Sequence, residues 1–551
     1  MAKGSSCVGF LTWPAHVCWL CTLPTLAAHG ESPLTWGDDI PHWLLIPAGS
    51  EMDMLNILFG VLLAWTLIQA LLLISRATQS SPNKLPPGPK PFPIIGNLLH
   101  LGDNPHKSLA ELAKTYGPIM TIKLGQVITV IISSPTMAKQ VLQKQDVAFS
   151  NRPLPDFTHA HNHYQVSVAW LPVSTRWRNL RKICNSHIFS THKLDANHHL
   201  RRLKVEQLIA NVRECCLAGV AVDIGRATFE TSLSLLSNTI FSVDLADSKS
   251  NKTAEIKEMV CSMMEEAGKP NLADYFPVFK KMDPQGIRRR MAIHYGKMIE
   301  LFDCMIKQRL ELKKMNGYLE SNVDMLDTLL SVSEDHGDEI NHTGIKHLLL
   351  DLFAAGTDTT STTLEWAMTE ILHNPKILSK ARAELEQTIG KGKQVEESDI
   401  TRLPYLQAII KETFRLHPPA PLLLPHKVET DVEVCGFTVP KGAQVLVNAW
   451  AVGRDPSIWE NPNLFMPERF LGSQVDVRGK DFELIPFGAG RRICPGLPLA
   501  TRMVHLMLGS LINSFDWKLE DGIAPEDMKM EEKFGFTLKS AQPLHAIPFY
   551  T

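Results

Sequence analysis

The segment Pro486-Phe487-Gly488-Ala489-Gly490-Arg491-Arg492-Ile493-Cys494-Pro495-Gly496 constrains this chain more than any other stretch of it. Gly488 and Gly490 admit backbone conformations barred to other residues, so the loop can turn tightly and approach a flat ligand closely. Cys494 stands just ahead of an apolar helical run, Leu497 to Phe515, whose first N–H groups would stabilise a thiolate, the metal-binding form of cysteine. The plain alternative is a buried structural cysteine in a glycine-rich turn. The remaining cysteines (7, 18, 21, 184, 215, 216, 261, 304 and 435) are scattered without the spacing of a disulfide scaffold, which implies a reduced, cytosol-facing body. Cys18 and Cys21 form a CxxC with no second pair, inside an apolar stretch, and read as incidental.

A chain of 551 residues, 44% apolar, can bury a large core, and a net charge of −2 gives no sign of a nucleic-acid partner. Met54 to Ser75 is 22 residues without a charge, long enough to cross roughly 30 Å of hydrocarbon as a helix. Glu51 and Asp53 precede it while Arg76, Lys84 and Lys90 follow, so the positive-inside bias places everything after it in the cytosol. A secretory signal would be shorter and followed by a cleavage site of small residues. The expected organisation is an N-terminal extension of unassigned role (1–51), a transmembrane anchor helix (54–75), a linker and proline-rich hinge (76–91) and one large domain (92–551). The extension is either a targeting peptide or an artefact of a start site that truly lies at Met52 or Met54.

Helical periodicity dominates the large domain. Ile119 to Leu124 and Val127 to Ile132 alternate around Gly125-Gln126 and predict a hairpin, and Val445 to Asn448 predicts another short strand. No βαβ rhythm and no dinucleotide-binding glycine loop is present, so the fold class is mainly α (α+β) with small antiparallel sheets. Thr343 to His373 predicts one long helix stopped by Asn374-Pro375. In its middle lies Ala355-Gly356-Thr357-Asp358-Thr359-Thr360, a poor helical stretch through backbone entropy and competing hydroxyls, which suggests a local distortion able to admit small molecules. Trp177 and Arg181 fall at i,i+4 and Glu412 and Arg415 at i,i+3, each pair on one helix face.

The cysteine loop resembles that of the cytochrome P-450 superfamily, Phe-Gly-x-Gly-x-Arg-x-Cys-x-Gly, at every fixed position. Six fixed residues would recur by chance on the order of once in a hundred thousand such chains. The resemblance implies the cytochrome P-450 fold and haem b (iron protoporphyrin IX), with Cys494 as the metal ligand and Arg492 neutralising a propionate. A thiolate ligand pushes electron density toward iron and favours O–O cleavage. It further implies that Thr359 hydrogen-bonds dioxygen at the haem, that Asp358 relays protons, and that Trp177, Arg181 and His426 face the propionates. Glu412, Arg415 and Arg469 would form a structural cluster. Electrons would come from NADPH through NADPH–cytochrome P-450 reductase, docked on a basic patch that includes Arg178 and Lys182.

Beyond the extension, segments such as VLQKQDVAFSNR, AHNHYQVSVAWLPVSTRWRNLRKICNSHIFS and MEEKFGFTL are similar to plant terpenoid hydroxylases, the geraniol hydroxylase and ferruginol synthase family. That likeness implies a single-pass protein of the endoplasmic reticulum membrane whose cytosolic domain hydroxylates a small terpenoid. A monoterpene alcohol such as geraniol, oxidised at an allylic methyl, is the leading substrate, with a diterpene or small phenolic as the alternative. Leu352, Phe353, Ala355, Leu422, Leu423, Phe534 and Phe536 are the expected apolar lining. A haem-thiolate isomerase would lack the Asp358–Thr359 pair, and a non-catalytic haem carrier would need neither that pair nor an apolar pocket.

Overall fold

The computed structural model describes residues 51–77, 85–245, 251–315, 324–335 and 340–550. All but the last residue of the expected N-terminal extension lies outside the described residues. The chain divides into two units, Met1–Ser80 and Ser81–Thr551. In the first, one helix, Glu51–Ala77, takes in the whole uncharged run. Its described side chains, those of 56–69, are exposed throughout. Among the described residues no helix is long and apolar enough to cross a membrane. That statement covers only 56–69 of this helix, a stretch shorter than the ~20 residues a span requires.

The second unit begins with the proline-rich segment lying against the first sheet strand. Thr121 N–H donates to the Pro87 carbonyl at 2.8 Å. Any side chain at Gly88 would collide with the Thr121 carbonyl, since a Cβ there would lie 1.8 Å from that oxygen. The expected hairpin is present: β1 (Ile119–Leu124) pairs antiparallel with β2 (Val127–Ile132), turning through Gly125 at φ +58°. A two-residue strand β3 (His426–Lys427) and β4 (Gln444–Val447) complete a sheet ordered β1-β2-β4-β3. β4 runs parallel to β2, with Val130 opposite Val445. The largest sheet is thus mixed rather than antiparallel, because β4 reaches β2 only after the helical body has been traversed and so is not bound by hairpin geometry.

The body is built around the 32-residue helix His342–His373, roughly 48 Å long at 1.5 Å per residue. Asn341 caps its start by accepting the Gly344 N–H at 2.8 Å, and Pro375 follows its end. This central helix contributes to two separate apolar clusters. Leu348, Leu349 and Phe353 pack with Phe229, Leu233 and Phe302, whereas Leu364, Met368 and Ile371 pack with Ile409, Phe414 and Met507. Between those halves run the small and hydroxylated residues 354–363, which cannot fill the space between the clusters as Leu or Phe would. The expected distortion does not interrupt the helix. Thr357, Thr359, Thr360 and Thr363 each turn the hydroxyl back to the carbonyl four residues earlier, at 2.7–2.9 Å, the local competition anticipated for threonine.

Glu412, Arg415 and Arg469 come together as expected. Arg415 donates twice to Glu412 (2.7 and 2.8 Å) and Arg469 once (3.0 Å), with Arg415 also reaching the Pro462 and Leu464 carbonyls. Glu412 and Arg415 are completely buried. Removing one partner of a buried pair leaves the other charge uncompensated. Glu412→Gln should therefore lower unfolding stability by about 3–5 kcal/mol, read as a reduced urea midpoint. A midpoint equal to that of the unaltered protein would show that the cluster does not hold the fold.

Candidate active site

The cysteine loop is shaped by its glycines, though not in the way its sequence suggests. Gly488 and Gly490 both lie in the left-handed region, at φ +68° and +67°. A Cβ on Gly490 would lie 1.8 Å from the Leu142 carbonyl. The close approach at this glycine is therefore to the chain's own backbone and not to a ligand. Cys494 is tied into the turn by its N–H, which donates to the Phe487 carbonyl at 3.0 Å. Its side chain is exposed, but the surface it meets is the wall of an internal cavity. Enclosure by protein pushes the thiol up. The backbone N–H groups of Gly496 and Leu497 and the charge of Arg181 pull it the other way. The helix Leu497–Ser514 starts at this point, so the predicted helix-start stabilisation is in place.

The cavity has a volume of about 1210 Å³ and is bordered by Cys494, Thr359, Trp177, Arg181, His426 and Arg492 together. Leu352, Ala355, Leu422, Leu423, Phe534 and Phe536 form apolar parts of its wall. Phe353 does not. It is fully buried in the core, packed on Phe241 and Phe302 at 5.9 and 5.4 Å. One residue along a helix is a rotation of about 100°, enough to turn Phe353 off the face that carries Leu352.

Asp358 also departs from expectation. It is buried and points at the C-terminal hairpin, where Thr537 donates to one carboxylate oxygen at 2.5 Å and Lys539 pairs with the other at 2.6 Å. Thr359 does border the cavity, with its hydroxyl donating to the Ala355 carbonyl at 2.7 Å. The two neighbours therefore face different surroundings, and no hydrogen bond between them is present among the described contacts.

One end of the cavity is cationic. Arg492 donates from Nε to the Ser150 carbonyl at 2.7 Å, while its Nη1 is buried without a partner. Arg152, which the sequence reading passed over, donates to the Leu424 and Pro425 carbonyls and leaves a buried Nε unpartnered. Burial, with Arg492 nearby, pulls Arg152 down to about 9. Burial, with Arg181 nearby, pulls Arg492 down to about 10. These guanidiniums lack counter-charge, and a ligand carrying two carboxylates above a thiolate-bound metal would supply it. The residues present thus fit haem, with Cys494 beneath the metal and Arg152, Arg181 and Arg492 toward its propionates.

Two expected propionate contacts are differently employed. The Trp177 indole N–H is committed to the Val168 carbonyl at 3.1 Å, and its ring instead lies under the guanidiniums of Arg492 (4.5 Å) and Arg181 (5.9 Å). His426 hydrogen-bonds the Phe149 carbonyl through Nδ1 at 2.7 Å, so that nitrogen carries the proton. Burial, with Arg152 beside it, holds the ring well below its usual range and hence neutral, leaving Nε2 as an acceptor.

Residues 86–545 match the family model described as Cytochrome P450. The chain is 60% identical over 497 residues to geraniol 8-hydroxylase of Swertia mussotii, covering 90% of this chain and 99% of that protein. It is 59% identical to geraniol 8-hydroxylase of Catharanthus roseus over the same shares. A solved zebra fish cytochrome P450 with progesterone superposes with a TM-score of 0.70 at 24% identity, covering 81% of this chain and 99% of that one, and so shares the fold. A thiol under a cavity edged by guanidiniums, on a fold and sequence of this kind, is the mark of one family, and the chain belongs to the cytochrome P450 family of haem-thiolate monooxygenases.

Proposed function

We propose that this protein hydroxylates a monoterpene alcohol such as geraniol at an allylic methyl group, with NADPH–cytochrome P450 reductase as its electron donor. The observation that carries the reading is the 60% identity to a geraniol 8-hydroxylase across 99% of that protein's length. The apolar cavity wall supports it, since Leu352, Leu422, Phe534 and Phe536 offer a hydrocarbon chain a water-poor surface. The exposed positions of Arg178 and Lys182 support reductase docking on that helix face. The anchor reading keeps its support from the uncharged 54–75 run, its exposed apolar side chains and the basic residues that follow it. It corresponds to a single-pass protein of the endoplasmic reticulum with a cytosolic domain.

When bound, haem held by Cys494 supplies the activation of dioxygen with electrons from NADPH. The protein's part is to position and protonate. Thr359 presents a hydroxyl at the cavity edge that can leave the Ala355 carbonyl and donate inward. Asp358 serves this site from the second row. Its carboxylate links the central helix to Lys539, a partly exposed cation through which protons can arrive from solvent. Arg152, Arg181 and Arg492 hold the cofactor's carboxylates, and Trp177 fixes the planes of two of those guanidiniums. His426 contributes shape at the same edge.

Membranes containing the protein, supplied with reductase, NADPH and a panel of terpenoids, should convert geraniol to a hydroxylated product. Oxidation of a diterpene or phenolic with no monoterpene alcohol consumed would replace this substrate assignment. Cys494→Ala should abolish the thiolate-specific Soret band of the reduced protein under carbon monoxide, and a normal band would remove Cys494 as ligand. Thr359→Ala should keep consuming NADPH while product per NADPH drops by about tenfold or more, the scale of a lost proton donor. Fully coupled turnover would count against its protonating role.

A further inference from the structure

Asp351, Ala355 and Thr359 lie four residues apart along one face of the central helix, and all three border the cavity. Eight residues of helix set Asp351 roughly 12 Å from Thr359. A carboxylate at a largely enclosed wall is costly unless its oxygens are satisfied, and most of its capacity is used. Ser167 Oγ donates to Oδ1 at 2.9 Å, His163 Nε2 to Oδ1 at 3.1 Å and the Val168 N–H to Oδ2 at 2.8 Å. A carboxylate offers about four acceptor sites. One remains, on a side chain that keeps 10% exposure at the cavity wall.

The chain goes to some length to hold this group. His161 and Asn162 both adopt left-handed backbone, at φ +49° and +54°, a strained pairing that turns His163 inward. His161 anchors the kink by hydrogen-bonding the Ala292 carbonyl through Nε2 at 2.9 Å, and the Tyr295 ring meets His163 edge-on at 5.0 Å. Behind His163, His347 approaches Nδ1 to Nδ1 at 2.8 Å. Burial and the neighbouring His163 push His347 down to about 4, so it is a neutral partner. His163 thus bridges Asp351 through Nε2 and His347 through Nδ1.

We propose that Asp351, oriented by His163, Ser167 and the Val168 amide, accepts a hydrogen bond from the hydroxyl of the alcohol substrate and thereby fixes which end of the chain reaches the oxidising end of the cavity. An extended monoterpene alcohol has eight bonds from its oxygen to its far methyl carbon, roughly 10 Å when bonds of about 1.5 Å zigzag. That length matches the separation of Asp351 from Thr359. With the hydroxyl held at Asp351, the allylic methyl at the other end is the group delivered for oxidation. This inference rests on the monoterpene-alcohol reading above.

The test compares geraniol with its methyl ether, which keeps the oxygen but cannot donate, using the full-length protein in membranes with reductase. Wild type should bind and turn over the alcohol about ten- to a hundredfold better, the scale of losing one hydrogen bond to a buried charge. It should give one product isomer from the alcohol and several from the ether. Asp351→Asn, checked for folding by its carbon monoxide band, should bring that preference close to one and scatter the products. Should that variant lack the band, Ser167→Ala takes its place: it removes one of the groups that orient the carboxylate without touching the charge, so the preference should fall severalfold and the products scatter, and an unchanged preference overturns the assignment. Equal handling of alcohol and ether by wild type, or an undiminished preference in Asp351→Asn, also overturns the role of Asp351 while leaving the substrate reading intact. Failure of wild type to oxidise any monoterpene alcohol overturns the substrate reading itself.

Discussion

Arg152, Arg181 and Arg492 are gathered at one end of an apolar cavity, where burial and mutual repulsion work against their charges. Much of the surrounding structure is arranged to hold them. Main-chain carbonyls of Ser150, Leu171, Leu424 and Pro425 take up N–H groups of Arg152 and Arg492, and the Trp177 ring lies against Arg181 and Arg492. Guanidinium suits this duty better than ammonium because it is planar, weakly hydrated and forked. What stays unsatisfied, Arg492 Nη1 and Arg152 Nε, marks where an anionic cofactor completes the set. Haem binding and folding of this end should therefore be coupled, since a ligand that binds only the folded state stabilises it.

The cavity itself follows from the central helix having two apolar halves with small residues between. Each half is claimed by its own cluster of neighbours, so the clusters fix the helix at both ends and the space beside Ala355, Gly356 and Thr359 stays open. Gly356 reports how closely this space is drawn, since a Cβ there would lie 3.0 Å from Leu236. The helix keeps its hydrogen-bond ladder through this stretch because threonine hydroxyls turn back on it. The hydroxyl at Thr359 is thereby both ordered and releasable.

The hairpin, the central helix and the cysteine loop were legible in the sequence because each rests on local pattern or on a spacing of six fixed residues. Residues with roles set by distant partners were not. Arg152 follows a short helix with nothing local to mark it, and its role appears only when β3 brings Pro425 and His426 alongside. Asp358 reads as a relay from its neighbour Thr359, yet its partners Thr537 and Lys539 are supplied by the far C-terminus. Phe353 was placed one position too generously, since periodicity identifies a face but not its edge. His163 and Asp351 meet across 188 positions of sequence, a pairing that no local pattern announces.

The C-terminal hairpin, Glu532–Lys533 paired with Lys539–Ser540, joins these features mechanically. Its loop carries Phe534 and Phe536 into the cavity wall, while Thr537 and Lys539 hold Asp358. Glu532 anchors the base. Burial would raise its carboxyl, but the hydrogen bond from His106 and the nearby His417 and Arg454 outweigh it and hold the group well below the usual carboxylate range. Trp366 of the central helix donates to the Leu538 carbonyl at 2.9 Å, closing the hairpin onto the helix. The same short element therefore lines the cavity and holds the acid beside Thr359. Asp358 is almost fully buried, so its pair with the partly exposed Lys539 and its hydrogen bond from Thr537 tie the hairpin to the central helix beside Thr359.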